Sequence, residues 1–235
     1  MAFFRKSYKG RRFIKRRRFF GRYTKKNRLL STIKKVVRKI APKELKYKDT
    51  EETLFSTAST NSVYSLAPIG QGDTVGSRDG NKIYLRAVQG LMELNFDDSI
   101  ITGYMTGIVP RIGVWIFQAK DISGATPALS NLLEDTTDWM TSWRNLALST
   151  KFKVLKRFFI NYDPEVSKTS QVRKFYLSWK KPLEIKYNST GAGLADVQNN
   201  GIYIMFELQT RADSAVGQLG GWVTAKLKYR TKFYD

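Results

Sequence analysis

Val223-Thr224-Ala225-Lys226-Leu227-Lys228-Tyr229-Arg230-Thr231-Lys232-Phe233 alternates almost without interruption. Successive side chains of an extended chain point to opposite faces. Val223, Ala225, Leu227, Tyr229 and Phe233 therefore fall on one side, and Thr224, Lys226, Lys228, Arg230 and Lys232 on the other. The stretch predicts a strand with one core face and one ladder of positive charge.

Upstream of it the same texture continues back to Pro42. Short runs rich in Val, Ile, Tyr, Phe and Trp alternate with clusters of Gly, Asn, Asp, Ser and Thr. The candidate strands are 44–55, 82–97, 110–118, 151–162, 171–180, 183–187, 201–210 and 222–233. Eight strands predict an all-β sandwich or jelly roll, and about 190 residues suffice for one domain with a sizeable core. Within 82–97 the apolar parity changes, from Ile83, Leu85 and Ala87 to Val88, Met92, Leu94 and Phe96. Gly90 beside Gln89 is the expected bulge. Residues 121–143 form the longest insertion, read as a surface loop with a short helix at 129–134.

The strand at 44–55 opens with Lys46 and Lys48 opposing Leu45 and Tyr47. If it neighbours the final strand, the cations of both make one basic sheet face. An ordinary solvated face is the alternative, since lysines on exposed strands also block edge pairing.

The charge is concentrated at the other end. Of 41 Lys and Arg, twenty lie in the first 48 residues with a single acid, Glu44, so that segment carries a formal +19 of the chain's +21. The rest of the chain has 21 cations against 19 acids. Charge at the density of the first segment repels itself and calls for a polyanion, of which nucleic acid is the commonest for a soluble chain. Residues 1–28 form a basic arm without a core of its own, in which Arg5, Lys6, Lys9, Arg11, Arg12, Lys15, Arg16, Arg17, Arg18, Arg22, Lys25, Lys26 and Arg28 are interleaved with rings including Phe13, Phe19, Phe20 and Tyr23. Cations neutralise phosphate and rings stack on unpaired bases, which favours a single-stranded ligand. A nuclear localisation signal is a second use of the same run.

Residues 29–41 change period. Leu29, Leu30, Ile33, Val36, Val37 and Ile40 recur at steps of three and four, with Lys34, Lys35, Arg38 and Lys39 on the other face, Ser31 or Thr32 as a cap and Pro42 as a stop. This predicts a short amphipathic helix. At about three turns it needs a partner for its apolar stripe, and packing against other copies is preferred over a membrane surface or the body.

Several chemistries are excluded or disfavoured. The chain has no cysteine and no histidine, which removes disulfides, thiolate nucleophiles, the usual zinc sites and imidazole general bases, so no enzyme is expected. No run approaches the ~18 to 20 apolar residues that span a bilayer, and the first residues lack a secretory apolar run. The expectation is a soluble protein made in a reducing compartment. Asn188-Ser189-Thr190 then reads as a polar turn rather than a glycosylation site. Gly70, Gly72, Gly76 and Gly80 are followed by a strand and no Lys-Ser/Thr, so they mark a turn-rich connection, not a phosphate loop. Glu51-Glu52, Asp97-Asp98 and Glu134-Asp135 are acid pairs, but neighbours on a strand point apart. No cofactor is expected from them beyond a structural calcium at a subunit contact.

Leu66-Ala67-Pro68-Ile69, then Gln71-Gly72-Asp73, four residues, and Arg78-Asp79-Gly80-Asn81-Lys82-Ile83 resemble the lead-in to a core strand in one family. The family is the coat proteins of small satellite plant viruses of the tobacco necrosis type, with the similar capsid proteins of circular Rep-encoding single-stranded DNA viruses. Val114-Trp115-Ile116-Phe117, the loop 121–127, 151–159, 202–208 and the closing 222–234 come in the family's order, so the resemblance covers 42–235. It implies an eight-stranded antiparallel jelly roll with sheets BIDG and CHEF, self-assembled into a small icosahedral shell, in the simplest case a T=1 particle of sixty copies. It also implies that the helix at 29–41 bundles at a threefold axis, and that the arm packages a genome inside the virion. The Arg- and aromatic-rich arm is closer to the DNA viruses, which favours DNA over RNA and passage through the host nucleus. The expected nucleic-acid contacts are the arm residues above with Lys46, Lys48, Lys226, Lys228 and Arg230. No metal ligand set carries over from the family. A cellular nucleic-acid-binding protein with a basic tail, ribosomal or nucleoid-like, is the alternative function.

Overall fold

The computed structural model describes residues 44–55, 62–97, 111–122, 125–136, 141–162, 170–209 and 223–235. The arm and the helix expected at 29–41 lie outside the described residues. Among the described residues there are eight strands: β1 (Lys46–Phe55), β2 (Ser62–Ser65), β3 (Lys82–Phe96), β4 (Arg111–Asp121), β5 (Phe152–Asn161), β6 (Ser170–Tyr187), β7 (Val197–Gln209) and β8 (Val223–Tyr234). All named pairings are antiparallel.

Strand order defines the fold. One sheet runs β1-β8-β3-β6, and the other places β2 and β4 on either side of β7 with β5 beyond β4. Lettered B to I along the chain, these are the BIDG and CHEF sheets of a jelly roll. A short β6–β7 pairing, Lys186 with Asn199 and Tyr187 with Val197, joins them at one corner. The core takes Ala225, Leu227, Tyr229 and Phe233 from β8, Val88, Met92 and Leu94 from β3, and Ile202 to Phe206 from β7.

Two glycines are dictated by rings. A Cβ on Gly90 would lie 2.2 Å from the Phe175 ring, and one on Gly201 would lie 2.5 Å from the Tyr203 ring. Each strand is thinned to let an aromatic cross it.

Several expectations are corrected. The parity switch in β3 is at Arg86, not Gly90: Leu85 pairs with Phe233 and Leu183, whereas Ala87 pairs with Lys232 and Ser178. On β6 the matching unpaired stretch is 179–182, which accommodates Pro182, and Arg86 donates to the carbonyls of Trp179 and Lys180. The expected strands 171–180 and 183–187 are therefore one interrupted strand. β2, four residues long, is not among the strands expected from the sequence. The helix expected at 129–134 is a single 3-10 turn at Leu129–Asn131. Its insertion is also more than a surface loop, because Leu129, Leu132 and Leu133 are buried in the core while Trp143 and Leu146 are exposed.

Candidate nucleic-acid interface

β8 has the alternation its sequence predicts. Val223, Ala225, Leu227, Tyr229, Thr231 and Phe233 are buried, and Lys226, Lys228, Arg230 and Lys232 line the other side of the sheet. The strands beside it decide what that ladder can do. On the β1 side Tyr47 pairs with Lys232, Asp49 with Arg230, Glu51 with Lys228 and Thr53 with Lys226. On the β3 side Gln89 pairs with Arg230, Leu91 with Lys228 and Glu93 with Lys226. Next across, β6 sets Tyr176 beside Gln89 and Lys174 beside Leu91.

This register overturns the single basic face expected of β1 and β8. Cross-strand partners share a face, and Lys46 and Lys48 pair with the buried Phe233 and Thr231. They therefore point away from the ladder. The Lys46 Nζ lies 3.0 Å from Asp79 and also engages Asp235, whose hydrogen bond is the main reason its pKa is raised. The Lys48 Nζ donates to the Pro68 carbonyl at 2.6 Å, and burial lowers its pKa. What β1 offers the ladder is acid. Asp49 holds Arg230 through two 2.6 Å bonds, which depress its carboxyl below the usual value, and Glu51 lies 3.2 Å from Lys228. Lys174, Lys226 and Lys232 make no ion pair among the described residues.

The glycine-rich motif proves to be a clasp. Segment 65–69 leaves β2 for β3, and five consecutive carbonyls are each taken by a side chain. Tyr229 Oη donates to Ser65 at 2.9 Å, Thr231 Oγ1 to Leu66 at 2.7 Å and Tyr187 Oη to Ala67 at 2.8 Å. Lys48 then takes Pro68, and Arg78 Nε takes Ile69 at 2.9 Å. Arg78 is fully buried, donates further to the Gly80, Ser189 and Gly191 carbonyls, and stacks 4.3 Å from the Tyr187 ring centre. A buried guanidinium needs acceptors for most of its five N–H groups, and here backbone oxygens supply them. Asp196, bonded by the Ser189 hydroxyl and the Gly193 N–H, has its carboxyl depressed by those bonds.

Of the predicted contacts, then, Lys226, Lys228 and Arg230 share one outward face and Lys46 and Lys48 do not. All those in the arm lie outside the described residues. Sequence reasoning missed Tyr47, Tyr176 and Lys174 on this face, and also its acids. The BIDG order implied by the resemblance sets β8, β3 and β6 side by side, but only the register shows which residues share a row. Among the described residues no group of three or more potential metal ligands occurs.

No family model matches the chain, and no curated protein matches it. Solved structures to which the chain is similar include one of desmodium yellow mottle tymovirus, 8% identical over 83% of this chain and 89% of that one, TM-score 0.36. Another is of turnip yellow mosaic virus, 11% identical over 82% and 94%, TM-score 0.33. A 60-mer BFDV capsid protein is 9% identical over 82% and 93%, TM-score 0.26. The jelly roll itself is assigned from the strand order.

Proposed function

We propose that this chain is a non-enzymatic viral capsid protein. Its jelly-roll body assembles into a closed shell of identical copies, and its arm condenses a single-stranded genome inside. The observation that carries this reading is the division of the chain: residues 1–43, with 18 Lys and Arg and no acid, precede a nearly neutral body with BIDG and CHEF sheets. Sixty copies would bring on the order of a thousand positive charges into one lumen, the scale of a small genome at one phosphate per nucleotide. Trp143 and Leu146, 80% and 70% exposed, are apolar side chains that a neighbouring copy would cover. A T=1 particle, DNA as cargo and passage through the nucleus are the finer parts of the proposal.

Sedimentation and electron microscopy of the expressed chain test it, with absorbance ratios before and after DNase or RNase. Particles containing nuclease-protected nucleic acid are expected. A strictly monomeric protein in the presence of nucleic acid overturns the reading. Deleting residues 2–26 separates it from a cellular basic-tailed binding module: the capsid body still forms shells or pentamers, whereas the module loses its partner and stays monomeric. Neutralising Lys226, Lys228 and Arg230 together should leave assembly intact and reduce the packaged nucleic acid.

A further inference from the structure

We propose that the outward face of the β1-β8-β3-β6 sheet is a second nucleic-acid site, a stacking platform for unpaired bases built on Tyr47 and Tyr176. It rests on the nucleic-acid reading above and locates it on the folded body. Tyr47 and Tyr176 are 50% and 60% exposed, although a large ring on a sheet face gains most by being covered. In the register, Tyr47 opens the row Tyr47-Lys232-Ala87-Ser178, and Tyr176 ends the adjacent row Asp49-Arg230-Gln89-Tyr176. Three strand spacings and one two-residue step separate the rings by roughly 16 Å. At about 3.4 Å per stacked nucleotide this is roughly five nucleotides, within the ~4–16 that one OB fold covers.

What lies between the rings suits a strand of nucleotides. The Arg230 guanidinium lies 4.9 Å from the centre of the Tyr47 ring while Asp49 fixes its direction. Lys232 sits in the first row, and Lys174 and Lys228 flank Leu91 in the third. An open concavity of about 810 Å³ covers this middle ground, with Gln89, Leu91, Lys174, Tyr176, Lys228 and Arg230 in its lining. The Gln89 amide can donate to and accept from a base edge, Leu91 gives an apolar floor, and the cations sit where phosphates would pass. Three acids, Asp49, Glu51 and Glu93, keep the face from being a simple polycation. Stacking must then carry more of the affinity here than in the arm. A duplex cannot use such a platform, because its base faces already cover one another. The site therefore takes single strands, DNA or RNA, in preference to duplex.

The full chain is the material for the test, with 20-mer oligothymidylate, 20-mer oligouridylate and a 20-base-pair duplex as probes. Iodouracil-substituted oligomers photocrosslinked to the chain should yield peptides carrying Tyr47 and Tyr176. The double variant Tyr47→Thr with Tyr176→Thr should bind both single strands about 5- to 100-fold more weakly and the duplex within about twofold of the parent. The slope of log affinity against log salt should not change, since no charge is removed. Crosslinks confined to the arm, or unaltered single-strand affinity in the variant, overturn the platform while leaving the proposed function standing. A parent chain that binds none of the three probes overturns both.

Discussion

The clasp at 65–81 and the outward face of the β1-β8-β3-β6 sheet use the same side chains for opposite purposes. In the clasp Arg78 is buried under four carbonyls and a tyrosine ring, and Lys48 is half-buried against a fifth carbonyl. On the face, Arg230 and Lys228 are tied to carboxylates in water, and three other lysines make no ion pair among the described residues. β8 serves both regions: Tyr229 and Thr231 bond the clasp, and Lys228, Arg230 and Lys232 form the face. A cation's role is thus fixed by which side of the sheet it lies on. Residue type does not decide it.

The sharpest way to break that distinction is to remove one arginine from each region. Arg78→Ala leaves backbone oxygens of Ile69, Gly80 and Ser189 buried without their donor. It should cost roughly 3 to 5 kcal/mol in denaturant unfolding, and Arg78→Lys should recover only part of this because one ammonium cannot reach all three. Arg230→Gln should leave the unfolding midpoint nearly unchanged. Equal effects of the two would mean that the clasp does not hold the sheets.

A finer cut runs along β8 itself. Thr231→Val keeps the shape and strands the Leu66 carbonyl, so a loss of about 1 to 2 kcal/mol is expected; Tyr187→Phe should lose less, because the Ala67 carbonyl keeps its bond from the Ile69 N–H. Their neighbours of opposite parity, Lys228→Gln and Lys232→Gln, should be silent in stability and visible only in nucleic-acid uptake. Gly90→Ala makes the same point on β3: its methyl collides with Phe175, for about 1 to 3 kcal/mol, and Phe175→Leu in the same chain should relieve part of the cost.

How much of this is readable in advance depends on the range of each signal. The alternation in β8 is local, so its two faces are legible from eleven residues. The glycine-rich stretch is legible as a connection, but Arg78 as its centre is not, because Ser189 and Gly191 accept its bonds from more than a hundred positions away. Lys46 and Lys48 mislead for a physical reason: polar residues on a strand ordinarily face water. β1, however, is an edge strand whose inner side lies over the clasp, where carbonyls and carboxylates welcome cations. Gly90 misleads in a similar way. Glycine marks either a bulge or a close approach, and only the distant Phe175 tells which. The platform is illegible for the same reason, since Tyr47 and Tyr176 meet only through two intervening strands.

Acid separates the two regions most gently. Asp196 beside the clasp and Asp49 on the face both have carboxyls depressed below the ordinary 3.8, the first by the Ser189 hydroxyl and Gly193 N–H, the second by Arg230. A depressed carboxyl contributes stability that is fully present above its unfolded value and lost as pH falls through its folded one. Stability should therefore be level with respect to these two groups from pH 7 to 5 and decline below about pH 4, and either Asp196→Asn or Asp49→Asn should flatten part of that decline. Salt tells them apart. At about 0.5 M the exposed Asp49–Arg230 attraction is screened within a few ångströms, so the acid slope owed to Asp49 shrinks. The slope owed to Asp196, whose two hydrogen-bond donors are neutral, persists. If salt erases both, the clasp owes its acid sensitivity to long-range attraction from Arg78, and its hydrogen bonds contribute less than their geometry implies.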